Sequence, residues 1–275
     1  MSSLDKKIAK LMPLHCPKRP PQPWDWLAVH REPGQTFEQY VASRPLRATE
    51  GENTIYIQPI GDVTVGQRKV IDLAAEYVGI FFGVPVRLLT PLPIASIPQR
   101  ARRRHPEWGM EQLLTTYILD HVLVPHRPSD ALAVLGLTGM DLWPGPGWNF
   151  VFGQASLIDR VGVWSLYRNG NPDGSAQEFA RCLERTIKTA VHEIGHILGM
   201  MHCTAYECVM NGSNHREESD RRPLYLCPIC LKKLCWNLQL DPLPRYEKLA
   251  SFCQQHQLNE AGRFFHESVM RLKSD

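Results

Sequence analysis

The sequence predicts a mixed α/β layered fold with a small cysteine-rich part toward its C-terminal end. Three observations predict it. Short apolar runs of strand composition alternate with helical periodicities through the first two-thirds of the chain, the pattern of a sheet layered with helices. A long helix with a marked start follows. After it, four of the eight cysteines crowd between positions 203 and 230.

In chain order, residues 1–50 read as an N-terminal extension, partly ordered. The segment is rich in Pro and basic residues, and PPQPWDW cannot continue a helix. Trp24, Trp26 and Leu27 are nevertheless costly to leave in water, so some of it should pack. The run TIYIQPI from Thr54 to Ile60 has strand composition and ends in a Gly-Asp turn. Residues 67–82 read as a helix, because Val70, Ile71, Ala74, Tyr77, Val78 and Phe81 recur at spacings of three and four. Residues 84–89 form a short strand before a Pro-rich loop. Residues 110–123 read as a second helix. Residues 131–137, 150–157 and 160–167 read as strands. A turn at Asn171–Gly174 precedes Ser175, and Glu178 three residues on completes a capping box. The helix that starts there should run to about Leu198. Residues 230–240 and 242–273 are helical again, with an interruption expected near Pro242 and Pro244.

Composition excludes several classes of function. A length of 275 residues suits one large domain or two small ones. The net charge of +3 gives no strong pull toward nucleic acid or membrane. No apolar run approaches the roughly 20 residues of a membrane span. The first residues carry a lysine pair but no apolar stretch after it, so no secretory signal is read there. Close cysteine pairs without an export signal point to metal binding and a reducing, intracellular setting, cytoplasmic with a nuclear location left open. The short basic run Arg100, Arg102, Arg103 and Arg104 is read as a solvated loop.

The third helix carries His192-Glu193-Ile194-Gly195-His196, then Gly199 and His202. At about 100° per residue, His192 and His196 lie only about 40° apart, so both imidazoles can meet one ion. A tetrahedral site needs a third ligand and leaves the fourth position to water. If the helix continued, His202 would point about 120° away from His196 and lie about 9 Å further along. Gly199 can end the helix in a left-handed conformation and bring His202 back. Glu193 lies about 100° around from His192, beside the open position and placed to act as general base. The apolar stripe Phe179, Leu183, Ile187, Ala190, Ile194 and Leu198 faces away from the histidines. Five fixed residues at these spacings arise by chance with odds on the order of 10⁻⁴.

Cys203 and Cys208, with Cys227 and Cys230, supply four thiolates as two close pairs, the makeup of a closed structural zinc site. Such a site would fix the backbone carrying His202. Cys16, Cys182, Cys235 and Cys253 have no partner spacing; Cys235 is read as buried. His215 is a poor ligand candidate because both sites are already filled. Tyr206 and Tyr225 are near enough in sequence to be oxyanion donors, with nothing to choose between them.

HEIGHILGMMHC, then Cys208-Val209-Met210, then CPIC resemble the archaemetzincins, a branch of the metzincin zinc peptidases. TIYIQPIGD and FVFGQASLIDRVGVWSLYR are also similar to that family. The resemblance implies an α+β, zincin-like fold: a mixed twisted sheet with flanking helices and the active-site helix across the cleft. It implies a catalytic domain over 51–275, with an upper part 51–199 and a lower, zinc-stabilised part 200–275. It implies a catalytic zinc on His192, His196 and His202 with Glu193 as general base. A second, structural zinc is implied on Cys203, Cys208, Cys227 and Cys230, and a methionine turn at Met210. The expected partner is a peptide substrate, short and cut in an aminopeptidase-like way, with no nucleic acid and no membrane, and the chain is expected to be a monomer. The competing reading is a zinc-stabilised peptide- or protein-binding module with little turnover, which would have no need of Glu193. A four-cysteine nucleic-acid finger is disfavoured, because no dense basic and aromatic surround accompanies the cysteines.

Overall fold

The structure, a computed structural model, describes residues 2–274. Its helices and strands, in chain order, begin with α1 (Ser3–Leu11), α2 (Trp26–Val29) and α3 (Phe37–Ala42). There follow β1 (Thr54–Ile60), α4 (Val65–Phe82), β2 (Val86–Leu88), β3 (Arg102–Arg104), β4 (Glu111–Leu114) and α5 (Thr115–Tyr117), which widens into a π-helical turn at Ile118–Leu123. Then come β5 (Ala131–Thr138), β6 (Asp141–Trp143), β7 (Gly153–Ser156), β8 (Val161–Ser165) and α6 (Ala176–Ile197). The last are α7 (Arg216–Arg221), α8 (Pro228–Leu238), α9 (Pro242–Gln255) and α10 (Asn259–Lys273). The chain forms two compact units, one of Ala48–Gly79 and Val84–Ile197, the other of Met1–Arg47, Ile80–Gly83 and Leu198–Asp275.

The first unit holds the sheets. One has the order β2-β1-β5-β8-β7, parallel except for β7, which runs antiparallel to β8 at the edge. Every residue of β1 and β5 is buried, as their near-continuous apolar sequences require of strands covered on both faces. Pro59 fits in β1 because its carbonyl faces the β2 side, where it accepts from Leu92 N (2.9 Å). The β2 ladder has already ended there at Ile57–Leu88, so no N–H is required. The second sheet is β3-β4-β6. Tyr56, Ile60, Leu113, Ile118, Val122, Leu142 and Val163 belong to the core cluster of this unit. Helix α6 begins as the sequence predicts: Glu178 Oε2 accepts from Ser175 N and Oγ (both 2.8 Å), and Ser175 Oγ accepts from Glu178 N (3.3 Å).

In the other unit α1 packs on α8 and α10, α3 on α8, and α9 on α10. Of the expected aromatic anchors, Trp26 is half-buried, whereas Trp24 is 79% exposed.

The structure corrects three local expectations. Within 110–123, Glu111–Leu114 is strand, paired with both β3 and β6. The buried Gln112 amide binds Asp141 Oδ2 and Asn149 O (both 2.8 Å), and this pairing overrides a short apolar pattern that suits either state. The interruption expected near Pro242 and Pro244 is present, since α8 ends at Leu238 with Gln239 at φ 54° and α9 opens at Pro242. The two prolines sit in the first turn of α9, where no N–H is needed, and Asp241 caps it by accepting from Leu243 N (3.0 Å). The expectation that 242–273 is one helix is what fails: a second break, not expected, falls after α9, with Gln257 at φ 59°. The arginine run is not a solvated loop: Arg102 Nε donates to Ile97 O (2.7 Å), Arg103 Nε to Gln112 Oε1 (2.8 Å), and the Arg103 guanidinium lies 4.0 Å from the Trp143 ring centroid.

Candidate metal centres and active site

Helix α6 places His192 and His196 one turn apart, with their Nε2 atoms 3.0 Å from each other and their rings nearly perpendicular (89°). Two nitrogens bound tetrahedrally to one zinc at about 2.0–2.1 Å stand about 3.3 Å apart, so this pair suits a shared cation. The face carrying them is not open to solvent: His192 and Glu193 are only 7% and 9% exposed, and Lys188 is buried in an ion pair with Glu184 (2.7 Å). Glu193 lies beside the edge strand. A Cβ on Gly153 of β7 would stand 3.2 Å from Glu193 Oε1 and 3.1 Å from both Trp164 Cβ and Val163 O. Glycine therefore leaves the carboxylate room against that strand.

Beyond Ile197 the helix ends, and Gly199 takes φ +82°. The sequence predicted this left-handed turn, but its clamps come from far along the chain. Buried Tyr40 donates its hydroxyl to Leu198 O (2.8 Å) and accepts from Asn237 Nδ2 (2.6 Å). Gln35 spans the turn, donating Nε2 to Gly199 O (3.2 Å) and accepting from Met201 N at Oε1 (3.3 Å). Lys233 Nζ in turn holds Gln35 through its O and Oε1 (2.6 and 2.9 Å). His202 follows, its Nδ1 facing both oxygens of Glu32 (2.9 and 3.1 Å) and its ring edge-on to Trp26 at 5.0 Å.

Cys203, Cys208, Cys227 and Cys230 come together, all buried, with their Sγ atoms within 4.8 Å of one another. The Cys203–Cys227 Sγ distance of 3.6 Å is too long for a disulfide. It is close to the about 3.8 Å between two thiolates on one tetrahedral zinc. Cys227 caps α8, its Sγ accepting from Cys230 N (3.4 Å), and Cys208 Sγ accepts from Cys227 N (3.2 Å). Burial pushes the Cys208 thiol up, while hydrogen bonds from Cys208 and Cys227 hold Cys203 down. The donor set thus fits a closed zinc site. Asn211 organises its loop: Nδ2 donates to Cys203 O (2.6 Å) and Tyr206 O (2.9 Å), and Oδ1 accepts from Cys208 N (2.9 Å). Met210 is fully buried, its carbonyl accepting from Cys203 N (2.8 Å). Cys235 is buried outside the cluster, and burial pushes its thiol up to about 11.

Asp25, His215 and Glu218 also converge, but they do not suit a metal. His215 Nδ1 accepts from Glu218 N (3.4 Å), so Nε2 carries the proton and donates to Asp25 Oδ1 (3.1 Å). Arg221 shares that oxygen, and the Glu218 carboxylate takes the Trp26 and Asn214 amides. Tyr225 stacks on Phe264 (3.5 Å, 9°), and burial pushes its hydroxyl up to about 12. Tyr206 forms an isolated bridge with Pro17.

The comparisons with known proteins agree with this architecture. The profile of Peptidase family M54 matches residues 129–235. Archaemetzincin-2 of Homo sapiens is 37% identical over 276 residues, covering 87% of this chain and 75% of that protein. The Rattus norvegicus archaemetzincin-2 is 36% identical over 273 residues, covering 86% and 74%. The crystal structure of the archaemetzincin of Methanopyrus kandleri superposes with a TM-score of 0.53 at 30% identity, covering 70% of this chain and 98% of that one. The chain is thus a zinc metallopeptidase. Within that class, the chain belongs to the archaemetzincin family, as its motifs led us to expect.

Proposed function

We propose that the protein hydrolyses short peptides, in an aminopeptidase-like way, by Glu193-assisted attack of water at a zinc held by His192, His196 and His202. Cys203, Cys208, Cys227 and Cys230 hold a second, structural zinc in this reading. The observation that carries it is the convergence of the His192 and His196 Nε2 atoms at 3.0 Å, with Glu193 between them in sequence. Zinc bound there supplies Lewis-acid chemistry: it polarises a peptide carbonyl and lowers the pKa of water from about 15.7 toward about 7. Glu193 takes the proton of the attacking water and delivers it to the departing amine. Edge strand β7 orients the substrate. It is the last strand of its sheet among the described residues, and an extended peptide added to it would pass the Glu193 carboxylate at Gly153. The tight turn at Gly199 supports His202 as the third ligand. The preference for short peptides and free N-termini rests on the family resemblance.

Zinc per chain and cleavage of a peptide library, with free and acetylated N-termini, test the reading on the native protein and on Glu193→Ala. We expect two zinc ions in both, cleavage only by the native protein, and loss of cleavage on acetylation. Two zinc ions with no peptide cleaved would instead make the protein a binding module.

A further inference from the structure

We propose that Glu32, in the N-terminal segment, is a positioning residue for the third zinc ligand. This rests on the reading of His202 as that ligand. Glu32 lies outside the profile match at 129–235, 170 residues from His202 in sequence. Both its oxygens face His202 Nδ1, at 2.9 and 3.1 Å. A carboxylate only accepts, so Nδ1 must donate, and that fixes the tautomer in which Nε2 carries the lone pair. A metal-ligating imidazole needs such a partner: the partner sets ring orientation and raises the basicity of the ligating nitrogen.

The surroundings argue against a merely superficial ion pair, which would contribute little. The side chains of His202 and Glu32 are 17% and 27% exposed. Trp26 stands edge-on to the imidazole at 5.0 Å, closing another side of the ring. Trp26 is itself fixed, because its amide donates to the Glu218 carboxylate (2.9 and 3.0 Å). Its indole also occupies the space a Cβ on Gly212 would take, 2.4 Å from Trp26 Cδ1. Three residues after Glu32, Gln35 grips both sides of the Gly199 turn. One stretch of the N-terminal segment therefore sets the tautomer, the ring plane and the backbone path of His202.

The test is zinc affinity, measured by chelator competition on the full chain with zinc counted per molecule. Glu32→Gln, Glu32→Ala and His202→Ala are compared with the native protein. Glu32→Gln keeps the side chain's shape should Glu32→Ala fail to fold. We expect the more weakly held zinc to be lost about 10–100-fold more readily in Glu32→Ala and by a smaller factor in Glu32→Gln. The zinc on the four cysteines should be unchanged. Cobalt in the weaker site should show an altered visible spectrum in both variants, which a purely structural role for Glu32 would not produce. If His202→Ala releases one zinc while both Glu32 variants bind within twofold of native, Glu32 has no positioning role. If His202→Ala itself leaves both ions as tightly held, the ligand assignment fails and Glu32 loses its function with it.

Discussion

Gly199→Ala should destabilise the protein by about 3 kcal/mol and disable it, and the structure gives the two parts of that cost. At φ +82° an L-residue pays about 1–2 kcal/mol for the left-handed conformation. The added methyl would also stand 2.8 Å from Pro45 Cβ and 3.5 Å from its Cα. Relieving an overlap of that kind costs about 1–3 kcal/mol, because packed neighbours must move. Those neighbours are not loose. Tyr40, whose ring stands 3.7 Å from the same methyl position, is hydrogen-bonded to Leu198 O, and Gln35 holds both sides of the turn. Urea unfolding measures the loss, and kcat/KM on a short peptide measures whether His202 still reaches its place. A double-mutant cycle separates the two costs. Pro45→Gly removes the offending Cβ and should recover about 1 kcal/mol or more in the Gly199→Ala background, whereas Pro45→Ala keeps that atom and should recover nothing. A Gly199→Ala protein within about 0.5 kcal/mol of native, or equal rescue by both Pro45 variants, would refute the reasoning.

Two further outcomes are expected. Cys208→Ser should remove one zinc per chain and about 4 kcal/mol or more of stability, and retention of both ions would sink the four-cysteine assignment. Burial holds His15 down at about 4 from an ordinary 6.5, with both ring nitrogens buried and lacking hydrogen-bond partners among the described residues. The unfolded chain therefore binds the extra proton, so this stability, about 3 kcal/mol, is present above pH 6.5 and is lost as pH falls toward 4. Thermal melts across that window should slope less steeply for His15→Phe, and identical slopes would contradict the assignment.

Most of what the sequence made legible at the candidate site shares one property: the signal is completed within a helical turn or two, the joining of the two cysteine pairs being the exception. His192 and His196 meet because the helix period puts them there, and Ser175 caps α6 through Glu178. The Cys227–Cys230 turn likewise follows from a cysteine capping its own helix. Gly199 belongs to the same set, since its conformation was readable from residue type. At Glu111–Leu114, by contrast, strand partners on both sides decide the state, not the local apolar period.

The partners of the candidate site were illegible for a related reason. Glu32, Gln35 and Asn211 are polar residues of ordinary type, and nothing local distinguishes them from solvent-facing neighbours. Their roles exist only once the chain has closed a long loop, as Glu32 does on His202 and Gln35 on Gly199. The one available hint was the capping pair Thr36 and Gln39, which starts α3 and so holds Tyr40 in the turn that reaches Leu198 O. Ligand identity can thus be written in a short motif. Ligand orientation is written in residues whose only common feature is where the fold delivers them. Substitutions at Glu32 or Gln35 should therefore weaken the site while leaving every recognisable motif intact.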